Sequence, residues 1–167
     1  MRTTIFLLAL IVPVQTFATG APDGGAQMYS VSSERANIRS GPGAEHEVAW
    51  EAGRYYPLEA LDREGSWVRV GDYENEEGWI HKSLLAKVPA VVIITKKANI
   101  REGAGRDYEV AWTADKDCSL KVLEAQDGWY KVSDGEEELG WLHSSVTWGY
   151  ADSDAGAGQL EEQDAGL

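Results

Sequence analysis

The sequence predicts an all-β protein made of two tandem copies of one small antiparallel unit, with disordered termini. Three observations carry this. First, Ala36-Asn37-Ile38-Arg39-Ser40-Gly41-Pro42-Gly43 returns as Ala98-Asn99-Ile100-Arg101-Glu102-Gly103-Ala104-Gly105, an offset of 62 residues. The same offset carries Glu47-Val48-Ala49-Trp50 onto Glu109-Val110-Ala111-Trp112, Trp67 onto Trp129, and Gly78-Trp79-Ile80-His81 onto Gly140-Trp141-Leu142-His143. A constant offset across separate blocks, with no gap, marks a duplication. Second, short β-branched or alternating runs are divided by turn clusters, the pattern of a small antiparallel β-fold. Third, seven Trp and seven Tyr in 167 residues supply large rings to units of only about 55 to 60 residues, near the lower limit for folding without staples.

Taken in order, residues 1–18 read as a signal peptide. Arg2 forms the positive start, Ile5 to Val14 the apolar stretch, and Thr16-Phe17-Ala18 a small-x-small cleavage site. About ten apolar residues fall short of the roughly 20 that span a bilayer, and no later segment is long and apolar enough to do so. The expected product is exported, periplasmic or extracellular, with no membrane span. Residues 19–28 are rich in Gly and Ala and read as a disordered lead-in.

The first unit, 29–86, is expected to place strands at Tyr29 to Val31, Ala36 to Arg39, Val48 to Trp50, Pro57 to Asp62, Trp67 to Val70 and Gly78 to His81. Ser40-Gly41-Pro42-Gly43 cannot continue a ladder, and Glu64-Gly65-Ser66 is a hairpin turn. A single helical turn after His81 closes the unit. The second unit, 91–148, repeats this, opening on the more apolar Val91-Val92-Ile93-Ile94. Ala86 to Ala90 is too short a bridge for free swivelling, so the units should lie close together. From 149 to 167 an acidic tail without Lys or Arg reads as disordered.

Charge narrows the partners. The formal net charge is −13, and an acidic surface repels phosphate backbones and anionic headgroups. Nucleic acid is excluded, whereas a neutral glycan, a peptide or a basic protein stays open. Cys118 is the single cysteine, so no internal disulfide forms; it reads as a small half-buried filler in register with Tyr56. His46, His81 and His143 build no nucleophile, base and orienter set, so no enzyme activity, cofactor or catalytic residue is expected. The loops Asp72 to Glu77 and Asp134 to Glu138 lack the spacing of a calcium loop and read as solvated hairpin tips, with no metal site.

Alternation along the strands selects the candidate binding residues. Trp67 shares its face with Arg69, and Trp129 with Lys131, while Trp79 and His81 oppose Ile80 and Trp141 and His143 oppose Leu142. A charge belongs outside, so these rings should be at least partly exposed. Trp67, Trp79 and His81, with Trp129, Trp141 and His143, are therefore the expected ligand-binding residues. Trp50 and Trp112, in register with Val48 and Val110, read as core.

Asn37-Ile38-Arg39-Ser40-Gly41-Pro42, Gly65-Ser66-Trp67-Val68-Arg69-Val70 and Gly78-Trp79-Ile80-His81 together resemble the bacterial SH3 (SH3b) domain, and the second copy carries the same three signatures with Ala104 in place of the Pro. The resemblance covers about residues 29 to 147. It implies two tandem SH3-like β-barrels, commonly exported, that bind cell-wall peptidoglycan or its peptides or act as protein-interaction modules in the envelope. In eukaryotic SH3 domains, aromatic residues at positions similar to Trp67 and Trp79 line the groove for proline-rich peptides. Here Leu84 or Val146 stands where that groove takes a closing Tyr.

Overall fold

A computed structural model describes residues 27–149. The expected signal peptide, most of the lead-in and nearly all of the acidic tail lie outside the described residues. The first unit holds β1 (Gln27–Val31), β2 (Arg35–Arg39), β3 (Val48–Gly53), β4 (Pro57–Glu64), β5 (Trp67–Gly71), β6 (Glu77–His81) and the short β7 (Leu85–Ala86), with a 3-10 turn at Lys82–Leu84. The second holds β8 (Ala90–Ile93), β9 (Lys97–Arg101), β10 (Val110–Asp115), β11 (Ser119–Gln126), β12 (Trp129–Ser133), β13 (Glu138–His143) and β14 (Thr147–Gly149), with a 3-10 turn at Ser144–Val146. The strand orders match: β3-β2-β6-β5-β4-β1-β7 and β10-β9-β13-β12-β11-β8-β14.

Each sheet curls around one apolar cluster. Val31, Ala36, Ile38, Ala52, Leu58, Val68, Val70 and Ile80 fill the first barrel, and Val91, Ile93, Ala98, Ile100, Leu120, Val122, Val132 and Leu142 the second. The curl comes from bulges at equivalent places. Register slips between Ala60 and Asp62 on β4 and between Val122 and Glu124 on β11, which bends an eight-residue strand so that its two halves serve opposite walls of the barrel.

The repeated motifs have separate structural tasks. Ile38 and Ile100 enter the cores, while Arg39 Nη1 donates to the His46 carbonyl at 2.7 Å and Arg101 Nη1 to the Tyr108 carbonyl at 2.7 Å. Each guanidinium thereby ties down the loop that follows it. Gly78 and Gly140 let β6 and β13 approach β2 and β9: a Cβ on Gly140 would stand 2.4 Å from the Arg101 carbonyl oxygen, with φ at +121°. No larger residue fits there without moving the backbone.

The bridge is the three residues between β7 and β8, and the two barrels pack on each other. β8 is buried along its whole length. Val91 and Ile93 belong to its own core, whereas Ala90 and Val92 point the other way, where β4 and β14 meet. Pro57 lies against Gly149 at this seam. Beside it, the Tyr73 hydroxyl donates to the Asp117 carboxylate, Lys116 Nζ pairs with Glu74 at 2.7 Å, and the Tyr73 ring meets Trp148 at 6.4 Å. Removal from water and the hydrogen bond to Asp117 raise the Tyr73 hydroxyl to a pKa of about 12.

Candidate functional site

The face selected by alternation is the outer surface of β2, β6 and β5 in the first barrel and of β9, β13 and β12 in the second. Register confirms the geometry of the face: Trp67 pairs with His81, and Trp79 sits between Arg69 on one side and Arg39 on the other. Trp129 likewise pairs with His143, and Trp141 lies between Lys131 and Arg101. In each barrel the two indoles and the imidazole share one patch of sheet, and the interior-facing neighbours Val68, Val70 and Ile80, or Val132 and Leu142, are buried beneath.

The histidines are fixed in place. His81 Nδ1 accepts from the Ser83 backbone N–H at 3.4 Å and lies 2.7 Å from the Ser83 hydroxyl, capping the 3-10 turn, and His143 does the same with Ser145 at 3.2 and 2.7 Å. Each imidazole then stands edge-on to its tryptophan, at 5.5 Å and 83° in the first barrel and 4.9 Å and 87° in the second. Such T-shaped pairs form the wall of the patch.

The two patches differ in depth. Trp67, Trp79, His81, Trp141 and His143 are partly exposed, but Trp129 keeps only 8% of its surface. This corrects the expectation that Trp129, like the other three indoles, is at least partly exposed. The His143 ring also stands closer to Trp129 than His81 stands to Trp67, at 4.9 against 5.5 Å.

A second correction concerns Trp112, which reads as core in the sequence and is 56% exposed. Its equivalent Trp50 is half-buried against the first core, edge-on to Tyr56 at 5.8 Å. Position 118 offers only a thiol where the first barrel has Tyr56, so Trp112 has no ring to lie against. Tyr108 at 53%, in the loop ahead of the edge strand β10, and Val110 at 45% are exposed as well, but the register slip after Val110 sets Val110 opposite Arg101 and Trp112 opposite Ile100, so these two side chains lie on different faces. Cys118 itself is half-buried against the second core, and burial pushes its thiol pKa up, away from the reactive thiolate.

The acidic hairpins are organised by their first residue. Asp72 Oδ1 accepts the N–H groups of Glu74 and Glu76, both at 2.9 Å, and Asp134 Oδ1 those of Glu136 and Glu137, both at 2.8 Å. Those bonds hold the Asp134 carboxyl below its usual range. These carboxylates are spent on turning the chain.

A family model described as the bacterial SH3 domain matches residues 32–87 and 95–149. YrvJ of Bacillus subtilis (strain 168), assigned by name as an N-acetylmuramoyl-L-alanine amidase, is 25% identical over 176 aligned positions, covering 97% of this chain and 33% of its own length. The chain thus spans about a third of that relative. Among solved structures, an NlpC/P60 family protein from Bacillus cereus ATCC 10987 matches with 13% identity, 73% of this chain, 56% of that chain and a TM-score of 0.35. NlpC2 from Trichomonas vaginalis matches with 16% identity, 74% of this chain, 48% of that chain and a TM-score of 0.33. Superpositions this loose carry no argument about the site. The duplicated motifs, the two barrels around separate cores and the paired family match lead to one assignment: the chain belongs to the bacterial SH3 domain family, with two tandem domains.

Proposed function

We propose that this chain is an exported, non-enzymatic binding module whose two domains hold cell-wall peptidoglycan or its peptides. The observation that carries the reading is the outer patch of Trp67, Trp79 and His81, repeated as Trp129, Trp141 and His143. Partly exposed indoles, Trp67 and Trp79 in the first domain and Trp141 in the second, on domains with so small a core represent apolar surface left for a partner. The named role of YrvJ as an amidase of N-acetylmuramoyl-L-alanine supports a wall ligand. Among the described residues no helix is long and apolar enough to cross a membrane.

Retention on purified sacculi tests this. The protein should sediment with sacculi, and Trp79→Ala with Trp141→Ala should abolish retention while the folded state persists. Unchanged retention by the double variant would move the site elsewhere. Intact-mass measurement from the native host should show loss of residues 1–18.

The exposed Trp112 on the edge strand β10 favours a second reading, a protein-interaction or scaffolding role in the envelope. Under it, the protein captures a soluble envelope protein, ignores sacculi, and loses its partner on Trp112→Ser.

A further inference from the structure

Beside each of Trp79 and Trp141, the partly exposed tryptophans of β6 and β13, stands a cation that the protein does not neutralise. Across three strands the row runs Arg39 on β2, Trp79 on β6, Arg69 on β5, and its equivalent runs Arg101, Trp141, Lys131. Cross-strand partners lie on one face with Cβ atoms about 5 Å apart, so a group resting on either indole has a cation within reach on both sides. Arg39 and Arg101 donate Nη1 to a backbone carbonyl, a neutral acceptor that orients the fork without cancelling its charge. Among the described residues neither forms an ion pair, whereas Arg69 approaches Glu77 at 3.7 Å and Lys131 is paired with Glu138 at 2.9 Å. In a chain of net charge −13, two equivalent oriented guanidiniums without a carboxylate, each next to an indole, are positioned for a carboxylate from outside.

We infer that Arg39 beside Trp79, and Arg101 beside Trp141, make each patch a site for a carboxylate-bearing wall peptide. The guanidinium pairs with the carboxylate and the indole takes the adjoining apolar stem. This rests on the proposed wall-binding function and specifies its ligand. The first barrel should be the stronger site, because Arg69 is less tightly paired than Lys131.

Sacculi with native carboxylates and sacculi whose carboxylates have been converted to amides provide the probes. The full protein should bind native sacculi at least about tenfold more tightly, the span of a charge-assisted hydrogen bond. Undirected electrostatics would do the reverse, since an acidic protein is repelled less by an amidated wall. Arg39→Gln with Arg101→Gln should reduce binding to native sacculi to the amidated level and leave binding to amidated sacculi unchanged. A purely structural loss of the tied loop would instead lower both equally and overturn the inference. Arg69→Gln, which disturbs no loop, should lower native binding by a smaller factor; no change from it together with equal binding to both walls would also overturn the inference. Equal binding to both walls by the unaltered protein leaves the wall-binding reading standing and removes the carboxylate, whereas binding to neither removes both.

Discussion

Trp50 and Trp112 occupy the same place on equivalent strands, each opposite a buried isoleucine, Ile38 or Ile100, yet one is half-buried and the other 56% exposed. Their own strands do not account for the difference. It lies at the start of the next strand, where Tyr56 presents a ring and Cys118 a thiol. Trp67 and Trp129 diverge in the opposite sense, the second-barrel ring being the buried one, although each pairs with a histidine across the ladder. Duplication has preserved the ladders and the cores, while the cover over equivalent ladder positions has come to differ between the two copies.

That account is open to attack in descending order of effect. Trp129→Ala should cost about 3 to 5 kcal/mol of unfolding free energy, the range for a truncated core aromatic, against about 1 to 2 kcal/mol for Trp67→Ala. Urea unfolding of the two variants decides it, and equal losses would mean the patches are equally buried. Tyr56→Cys should cost about 2 kcal/mol and expose Trp50, seen as faster hydrogen exchange of its indole N–H. The converse change, Cys118→Tyr, should gain about 1 kcal/mol from a restored aromatic pair and protect the Trp112 indole. It places a hydroxyl near Asp134, as the Tyr56 hydroxyl meets Asp72 at 3.2 Å. If the Trp112 indole stays unprotected, something other than the missing ring holds it out.

The smallest effect concerns the seam between the barrels. Tyr73 is raised from 10.0 to about 12 in the folded protein, so its neutral form favours the packed arrangement. Its contribution is complete below pH 10 and fades as pH climbs towards 12. Small-angle scattering should show the barrels loosening over that interval while the far-ultraviolet spectrum holds, and Tyr73→Phe should loosen them already at neutral pH. A seam indifferent to both changes would rest on its other contacts, the Lys116–Glu74 pair and the packing of Pro57, Val92 and Trp148.

Much of this fold was legible because period-two alternation and turn residues are local properties. All six expected strands of the first unit appear, extended by one to three residues at several ends; β1 begins at Gln27, ahead of the expected Tyr29. β7 and β14 escaped notice because strands of two or three residues have no periodicity to read. Parity also assigned Trp67, Trp79 and His81 to one face correctly. It could not foresee that Trp129 is buried or that Cys118 fails to cover Trp112, since alternation gives a side chain's direction and says nothing of what it meets. The seam had two signals. Val91-Val92-Ile93-Ile94 lacks alternation, as a strand buried on both faces does, and Trp148 is the one tryptophan without a counterpart at the 62-residue offset, where Ala86 stands.

The double burial of β8 also bears on how the molecule comes apart. Val92 at 0% exposure faces the seam between Trp148 of its own sheet and β4 of the first barrel, so melting the first domain removes part of the cover from a side chain whose full burial is worth about 1.5 to 3 kcal/mol. Added to the loss of the Tyr73 and Trp148 contacts, this is a considerable part of the few kcal/mol by which so small a domain is stable. The two domains are therefore expected to melt in one calorimetric transition, and a second domain cut free at the bridge would present an apolar flank that the intact chain covers.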